Sequence, residues 1–312
     1  MRQAINRASY IFSVLPAAIA FSAVAFGQGQ DFSKVEIKTN KITSNFYTLD
    51  GQGGTIGVLA GPDGVLMVDS QFAPLSEKIA AAIKQISPSP IRFLINTHVH
   101  GDHTGGDENF GKMGVTIFAR EELRERLAHP APLPNGNPAP AMPAVGLPVV
   151  TYDGPVKIHL NGEVVDLIPV RTAHTDGDTM VRFENANVVM TGDFYRSTGY
   201  PFFDHANGGT LTGLIEGLDQ TIKLCGPETK VIPGHGAIVD RAAVTAHRDM
   251  IIAVRDQVAK LISQGKSQQE VLAAKLTAPY DARVPGGNAQ AGGQTSADRF
   301  VTILYTELKG AK

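Results

Sequence analysis

The chain has 312 residues, 43% of them apolar, and carries 28 Lys and Arg against 30 Asp and Glu for a net charge of −2 at pH 7. That apolar content can bury a full core in one large domain or two small ones, which excludes a disordered chain. Lys and Arg form no long run or stripe, so a nucleic-acid partner is not expected and a small-molecule substrate is.

The first predicted element is an export signal. Arg2 and Arg7, with no acid nearby, precede an apolar stretch from Tyr10 to Phe26, and Ala23-Val24-Ala25 supplies a small-x-small cleavage site. Ser13, Pro16 and Ser22 interrupt the stretch and leave it short for a membrane span. Residues 1–25 are therefore expected to be removed as a signal peptide. What remains is 26 Lys and Arg against 30 Asp and Glu, a net charge of −4, in residues 26–312. This part is expected to form a single domain, periplasmic or secreted, with no stable membrane insertion. The one cysteine, Cys225, allows no intrachain disulfide; it ends an apolar-periodic segment (Leu211, Leu214, Ile215, Leu218, Ile222) and reads as a small core residue.

Further along, a faint repeat organises the chain. Thr55–Phe72 (TIGVLAGPDGVLMVDSQF) and Thr179–Phe194 (TMVRFENANVVMTGDF) each read strand, turn, strand and then an Asp, with 14 positions from Thr to Asp in both. A helix follows each, with Leu75, Ile79, Ile83 and Ile86 apolar in the first and Leu211 to Leu224 carrying the second. Each helix leads to an apolar strand that ends in a histidine: Ile91–Ile95 before His98, and Val231-Ile232 before His235. Two such halves, each needing an apolar partner for its sheet, predict an α/β fold of four layers, an αββα sandwich. Residues 130–148, rich in Pro, Ala and Gly, are expected to form a long loop between the halves. Two later helices are expected at 248–262 and, after the cap Ser296, at 297–308.

The chemistry concentrates at Asn96–Gly106, NTHVHGDHTGG, where three imidazoles and a carboxylate fall within six residues. His98 and His100 can lie on one side of a short extended segment and bind one ion, while Asp102 and His103 point toward a second. The remaining ligands are expected from His174 in AHTDGDT, Asp193 in MTGDFY and His235 in IPGHG. That gives a three-His site (His98, His100, His174) beside a site of Asp102, His103 and His235, with Asp193 bridging. Asp69, the repeat equivalent of Asp193, is expected to fix a ligand imidazole from behind. His205, in the loop that follows Asp193, is a candidate substrate contact. His129, His159 and His247 read as surface or packing residues.

HxHxDH at His98–His103, the following His174, the GD at Asp193 and the PGHG at His235, in order within about Phe46 to Asp240, resemble the metallo-β-lactamase superfamily. The resemblance implies the αββα sandwich, two Zn2+ ions, and a metal-bound hydroxide that opens an amide or ester bond, with Asp102 handling the proton. A β-lactam ring is the first substrate implied. Class B1 and B2 β-lactamases carry Cys where this chain has Asp193, and an Asp bridge is usual in lactonases, glyoxalase II-like thioesterases and phosphodiesterases, so those remain alternatives. Similar lactonases place Tyr three residues after the bridging Asp; here that position is Arg196, and Tyr195, one residue short, is a candidate substrate contact. B1 enzymes place a carboxylate-binding Lys at the Arg196 offset, which makes Arg196 a candidate grip on an anionic substrate. An alternative of another class is a mononuclear iron persulfide dioxygenase.

Overall fold

The computed structural model describes residues 31–310 other than 134 and 292. The expected signal segment, residues 1–25, lies outside the described residues. No helix among those described is long and apolar enough to cross a membrane.

The first sheet runs in chain order through seven strands: β1 (Lys38–Lys41), β2 (Phe46–Asp50), β3 (Ile56–Leu59), β4 (Val65–Val68), β5 (Ile91–Ile95), β6 (Thr116–Arg120) and β7 (Val150–Tyr152). It is antiparallel up to β4 and parallel from β4 to β7. The second sheet contains β8 (Val156–Leu160), β9 (Glu163–Pro169), β10 (Thr179–Phe183) and β11 (Val188–Met190), all antiparallel, with β12 (Lys230–Ile232) parallel to β11. The repeat is thus structural. In each half an antiparallel hairpin (β3–β4, β10–β11) sends a helix, α1 (Ser76–Ile86) or α5 (Leu211–Leu224), across to a strand parallel to the hairpin's second strand. Four shorter helices lie among these: α2 (Gly101–Thr104), α3 (Asp107–Lys112) and α4 (Glu121–Ala128) in the first half, and α7 (Gln268–Ala273) between α6 (Arg241–Ser263) and α8 (Ser296–Gly310).

The alternation of side chains along the strands explains the layers. In β4, Leu66 and Val68 face Leu167, Val181 and Phe183 of the second sheet, while Val65 and Met67 pack on Ile79 and Ile83 of α1. Both faces are covered, so the strand reads VLMV without a polar position. Phe46 and Phe183 meet at the centre with ring centroids 4.4 Å apart. On the far side Met180 and Val189 pack against Leu214 and Leu218 of α5, Val254 of α6 and Phe300 of α8. Four layers result, as the two-sided sheets require.

Two sequence expectations need correction. The Pro-rich stretch does not join the halves: it connects α4 to β7, which is still in the first sheet, and the chain crosses to the second sheet between β7 and β8. The parallel pairing of β6 with β7 requires a long crossover, which this stretch supplies in largely irregular form. The helix expected at 248–262 starts earlier, at Arg241, because Asp240 caps it by accepting from the Ala243 amide at 2.8 Å. Asp240→Ala is expected to cost about 1 kcal/mol in denaturant unfolding; an unchanged midpoint would show that the cap contributes nothing.

Candidate metal centre

The ends of β5 and β12, the turn after β11 and the loop after β9 deliver the seven candidate ligands to one edge of the sandwich. Beyond β5, Asn96–His100 runs without regular structure, and α2 begins at Gly101, which turns His103 back under the strand. Close approach is built into the backbone: a Cβ at Gly234 would collide with Asp193 Oδ1, and one at Gly54 with the His103 ring. His98, His103 and His174 are fully buried, whereas Asp102, His100 and His235 keep 27%, 25% and 20% of their side chains exposed, so the cluster opens to solvent on their side.

Three groups of donors converge, each within 4.8 Å: His98, His100 and His174; His98, His103 and Asp193; Asp102, His103 and His235. Within them His100 Nδ1 lies 3.0 Å from His174 Nε2, and His103 Nε2 lies 3.3 Å from His235 Nε2. Asp193 stands between the groups, with Oδ1 3.4 Å from His103 Nε2 and Oδ2 3.4 Å from His235 Nε2 and 3.9 Å from His174 Nε2. Asp102 Oδ2 is 3.1 Å from His235 Nε2.

The surrounding hydrogen bonds fix which ring nitrogen points inward. Asp69 accepts from the Thr97 amide at 2.7 Å and from Thr97 Oγ1 at 2.8 Å, and its Oδ2 sits 2.7 Å from His103 Nδ1. Because Thr97 Oγ1 spends its proton on Asp69, it accepts from His98 Nδ1 at 3.0 Å. His174 Nδ1 donates to the Phe202 carbonyl at 2.7 Å, and His100 Nε2 donates to Asp204 at 2.9 Å. In all four rings the other nitrogen faces the cluster. His98 Nε2 and Asp193 Oδ1 are buried there without any hydrogen-bond partner. A buried imidazole lone pair and carboxylate oxygen left without a proton donor, among further N and O donors, fit cations of zinc-like preference.

Charge divides the cluster. Burial, with His103 and His174 nearby, holds His98 well below the usual imidazole range, and burial with His100 drives His174 down to about 3. His103 and His235 go the other way: burial opposes their charge, but Asp69, Asp102 and Asp193 raise the first well above its usual value, and Asp193 and Asp102 push the second up to about 9. Asp193 stays ionised far below the usual carboxylate range despite burial, because His235, His103 and Arg196 surround it. The metal-free cluster keeps its carboxylates charged by holding protons where cations would sit.

The structure brings together the seven expected ligands, with Asp69 behind His103. Arg196 borders them, its Nε 3.9 Å from Asp193 Oδ2. Tyr195 does not join them. Its ring is 3% exposed and packs in the sheet–helix core 4.9 Å from the His247 ring, since the turn at Gly192–Phe194 sends neighbouring side chains to opposite sides. His205 is held by Glu307 of α8 at 3.0 Å, and it is the preceding residue, Asp204, that reaches the cluster. Sequence reasoning also missed Thr97 and Asp178, the latter accepting from the His174 amide at 2.6 Å and from Thr175 Oγ1 at 2.6 Å. The run AHTDGD held the second signal, an acid four residues after a ligand in a tight turn.

Comparison with known proteins agrees with this architecture. Residues 49–238 match the metallo-beta-lactamase superfamily. The chain is 27% identical over 207 residues to the 2,4-dinitroanisole O-demethylase subunit alpha of a Nocardioides species, covering 63% of this chain and 57% of that one. It is 26% identical over 203 residues to the hydroxyacylglutathione hydrolase of Nitrosococcus oceani, covering 62% and 66%. Among solved structures, a stereoselective inverting sec-alkylsulfatase from Pseudomonas sp. superposes with a TM-score of 0.66 at 16% identity, over 87% of this chain and 50% of that one. This chain therefore spans little more than half the length of the O-demethylase subunit and half that of the sulfatase. With the family match extending over more than half of its residues, the chain belongs to the metallo-beta-lactamase superfamily.

Proposed function

We propose that the protein is an exported, periplasmic or secreted hydrolase that uses two Zn2+ ions to open an amide or ester bond in a small anionic molecule, a β-lactam ring being the first candidate. The observation that carries this reading is the convergence of seven N and O donors in groups joined through Asp193. Two zinc ions would supply a water acidic enough to ionise near neutral pH and a Lewis acid for the carbonyl oxygen. The chain's own residues do the rest. His98, His100 and His174 present ring nitrogens on one side, and Asp102, His103 and His235 form the other. Asp69 holds the His103 ring, and Asp102, at the open side, can orient a proton beside His235. Cys225 takes no part: it is buried, with its thiol pushed up to about 11 by burial.

A second reading, a thioesterase or lactonase, is supported by the carboxylate at Asp193 and by the similarity to a hydroxyacylglutathione hydrolase. A panel of β-lactam, lactone, thioester, phosphodiester and sulfate-ester substrates on the zinc-loaded protein separates the two. Failure to hydrolyse any of them with both ions bound would sink the hydrolase reading. Iron with persulfide oxidation would establish the dioxygenase instead.

Arg196 supports the anionic choice, since its Nε is buried without a hydrogen-bond partner next to the cluster. A charged hydrogen bond contributes about 1.5 to 3 kcal/mol, so Arg196→Ala is expected to lower kcat/KM on anionic substrates by roughly 10 to 150-fold, mostly through KM. Equal losses on matched neutral and anionic esters would rule this out. Export is tested by N-terminal sequencing of the protein recovered from the periplasm or medium, which is expected to begin near Phe26; an uncleaved, membrane-retained chain would contradict it.

A further inference from the structure

Asp204 holds the outer nitrogen of His100 from the loop between β11 and α5, and a carboxylate orients a ligand imidazole only as well as it is itself fixed. Its Oδ1 accepts from the Ala206 amide at 3.0 Å, a contact within the same turn. Its Oδ2, which meets His100 Nε2 at 2.9 Å, also accepts from Asn207 Nδ2 at 2.7 Å. Asn207 Oδ1 in turn accepts at 3.2 Å from Nη1 of Arg126, a residue of α4, and the same Nη1 donates to the Ala206 carbonyl at 3.2 Å. Only one orientation of the Asn207 amide serves both neighbours. A guanidinium can only donate and an ionised carboxylate can only accept, so a flipped amide would lose both bonds.

Arg126 is anchored in its turn. Its Nε donates to Asp176 Oδ1 at 2.7 Å and its Nη2 to Asp176 Oδ2 at 2.5 Å, a bidentate pair with the loop that begins at His174. The Asp176 amide donates to the Asn207 carbonyl at 2.9 Å, and a Cβ at Gly208 would strike the Asp176 carboxylate, so the two loops lie in close contact. Arg126 and His100 belong to the first half of the chain, while Asp176, Asn207 and Asp204 belong to the second. The run from guanidinium to amide to carboxylate to imidazole therefore crosses between the halves twice, and each link polarises the next in the direction that strengthens it.

We infer that Arg126 is a positioning residue for His100, acting through Asn207 and Asp204 to keep the His100 Nδ1 aimed at His98 and His174. That His100 then holds a metal rests on the hydrolase reading; the positioning of its ring does not. Arg126 touches neither the cluster nor a substrate bound there, and its effect passes wholly through the Asn207 amide.

The test reads the His100 ring itself, by NMR of the imidazole protons in the full-length protein, chelated and zinc-loaded, with chelator competition giving the zinc affinity. In the wild type the His100 Nε2 proton should be protected from exchange with water by Asp204. Arg126→Gln is expected to lose that protection and to weaken zinc binding by about tenfold, the low end for a residue behind the ligands. The His103 Nδ1 proton, held by Asp69 on the other side of the cluster, should not change. Asn207→Ala leaves the Arg126–Asp176 pair intact and should reproduce both effects; it serves as the probe if Arg126→Gln does not fold. Arg126→Lys, which keeps the charge without the fork, should fall between, and the double variant should be little worse than either single one because both break the same run of contacts. A lower melting temperature with the His100 proton and zinc affinity unchanged would reduce Arg126 to a structural ion pair and overturn the inference. Loss of protection in Arg126→Gln but not in Asn207→Ala would overturn it too, since the route would not pass through the amide. Protection that depends on both residues, in a protein that binds no zinc, would leave the positioning standing and remove the metal centre.

Discussion

Stripping the metal with a chelator is expected to abolish hydrolysis and to lower the melting temperature by about 5 to 10 °C, the effect of losing ligands bound at roughly a hundred times their dissociation constants in a protein of this size. The physical reason is the charge set around His103: Asp69, Asp102 and Asp193 all approach it, and without metal cations protons on His103 and His235, with Arg196 beside Asp193, balance them. That substitution gives the metal-free form its own pH profile. His98 and His174, with depressed folded pKa values, charge more readily once unfolded, so stability rises with pH up to the ordinary imidazole value of about 6.5. His103 and His235 are raised in the folded state, so their contribution is complete below about 6.5 and is lost as pH climbs through the folded values, about 9 for His235. The metal-free melting temperature should therefore peak near neutrality and fall toward pH 9. The zinc-loaded protein should lack the falling limb, because its His103 and His235 carry no proton to lose. Melting curves that fall in parallel with and without zinc would contradict the assignment of these two histidines.

Asp193→Asn is the substitution expected to do most damage. Among the described residues, Asp193 is the one carboxylate within 4 Å of ring nitrogens in both groups, His174 on one side and His103 and His235 on the other. Asn keeps the shape but removes the charge and one anionic oxygen, so the chain should retain its fold and lose at least one equivalent of zinc. Loss of a ligand exceeds the 10 to 100-fold typical of the residues behind the ligands, so activity should drop by more than about 100-fold. Asp69→Asn is the comparison: its carboxylate hydrogen-bonds His103 and Thr97 behind the cluster, and the variant should fall within that smaller range. Wild-type zinc content and activity in Asp193→Asn would show that Asp193 bridges nothing.

The parts of this molecule legible in its sequence are those with local grammar. HVHGDH places four donors through one strand end and one turn, and the repeated hairpin, helix and strand place Asp69, Asp193 and His235 at equivalent edges without any knowledge of distant contacts. The groups that orient the ligands follow no such rule. His100 and Asp204 are 104 residues apart, and His174 is fixed by a backbone carbonyl, that of Phe202, which has no residue signature at all. Tyr195 and His205 show how fine the grain is. Each lies one or two residues from a side chain that does face the cluster, and a single step along a tight turn sends a side chain to the other side. The crossover at residues 130–148 escapes a sequence reading for a related reason: its composition marks it as irregular, but only the pairing of β7 with β6 decides which sheet it returns to.

The proposed two-metal centre organised around Asp193 is tested most directly by titrating the chelated, full-length protein with zinc, following bound metal and hydrolysis together. Two equivalents per chain, with activity restored as the centre fills and both effects reduced in Asp193→Asn, is the predicted result. Saturation at a single equivalent of iron, or full hydrolysis with no metal bound, would contradict it.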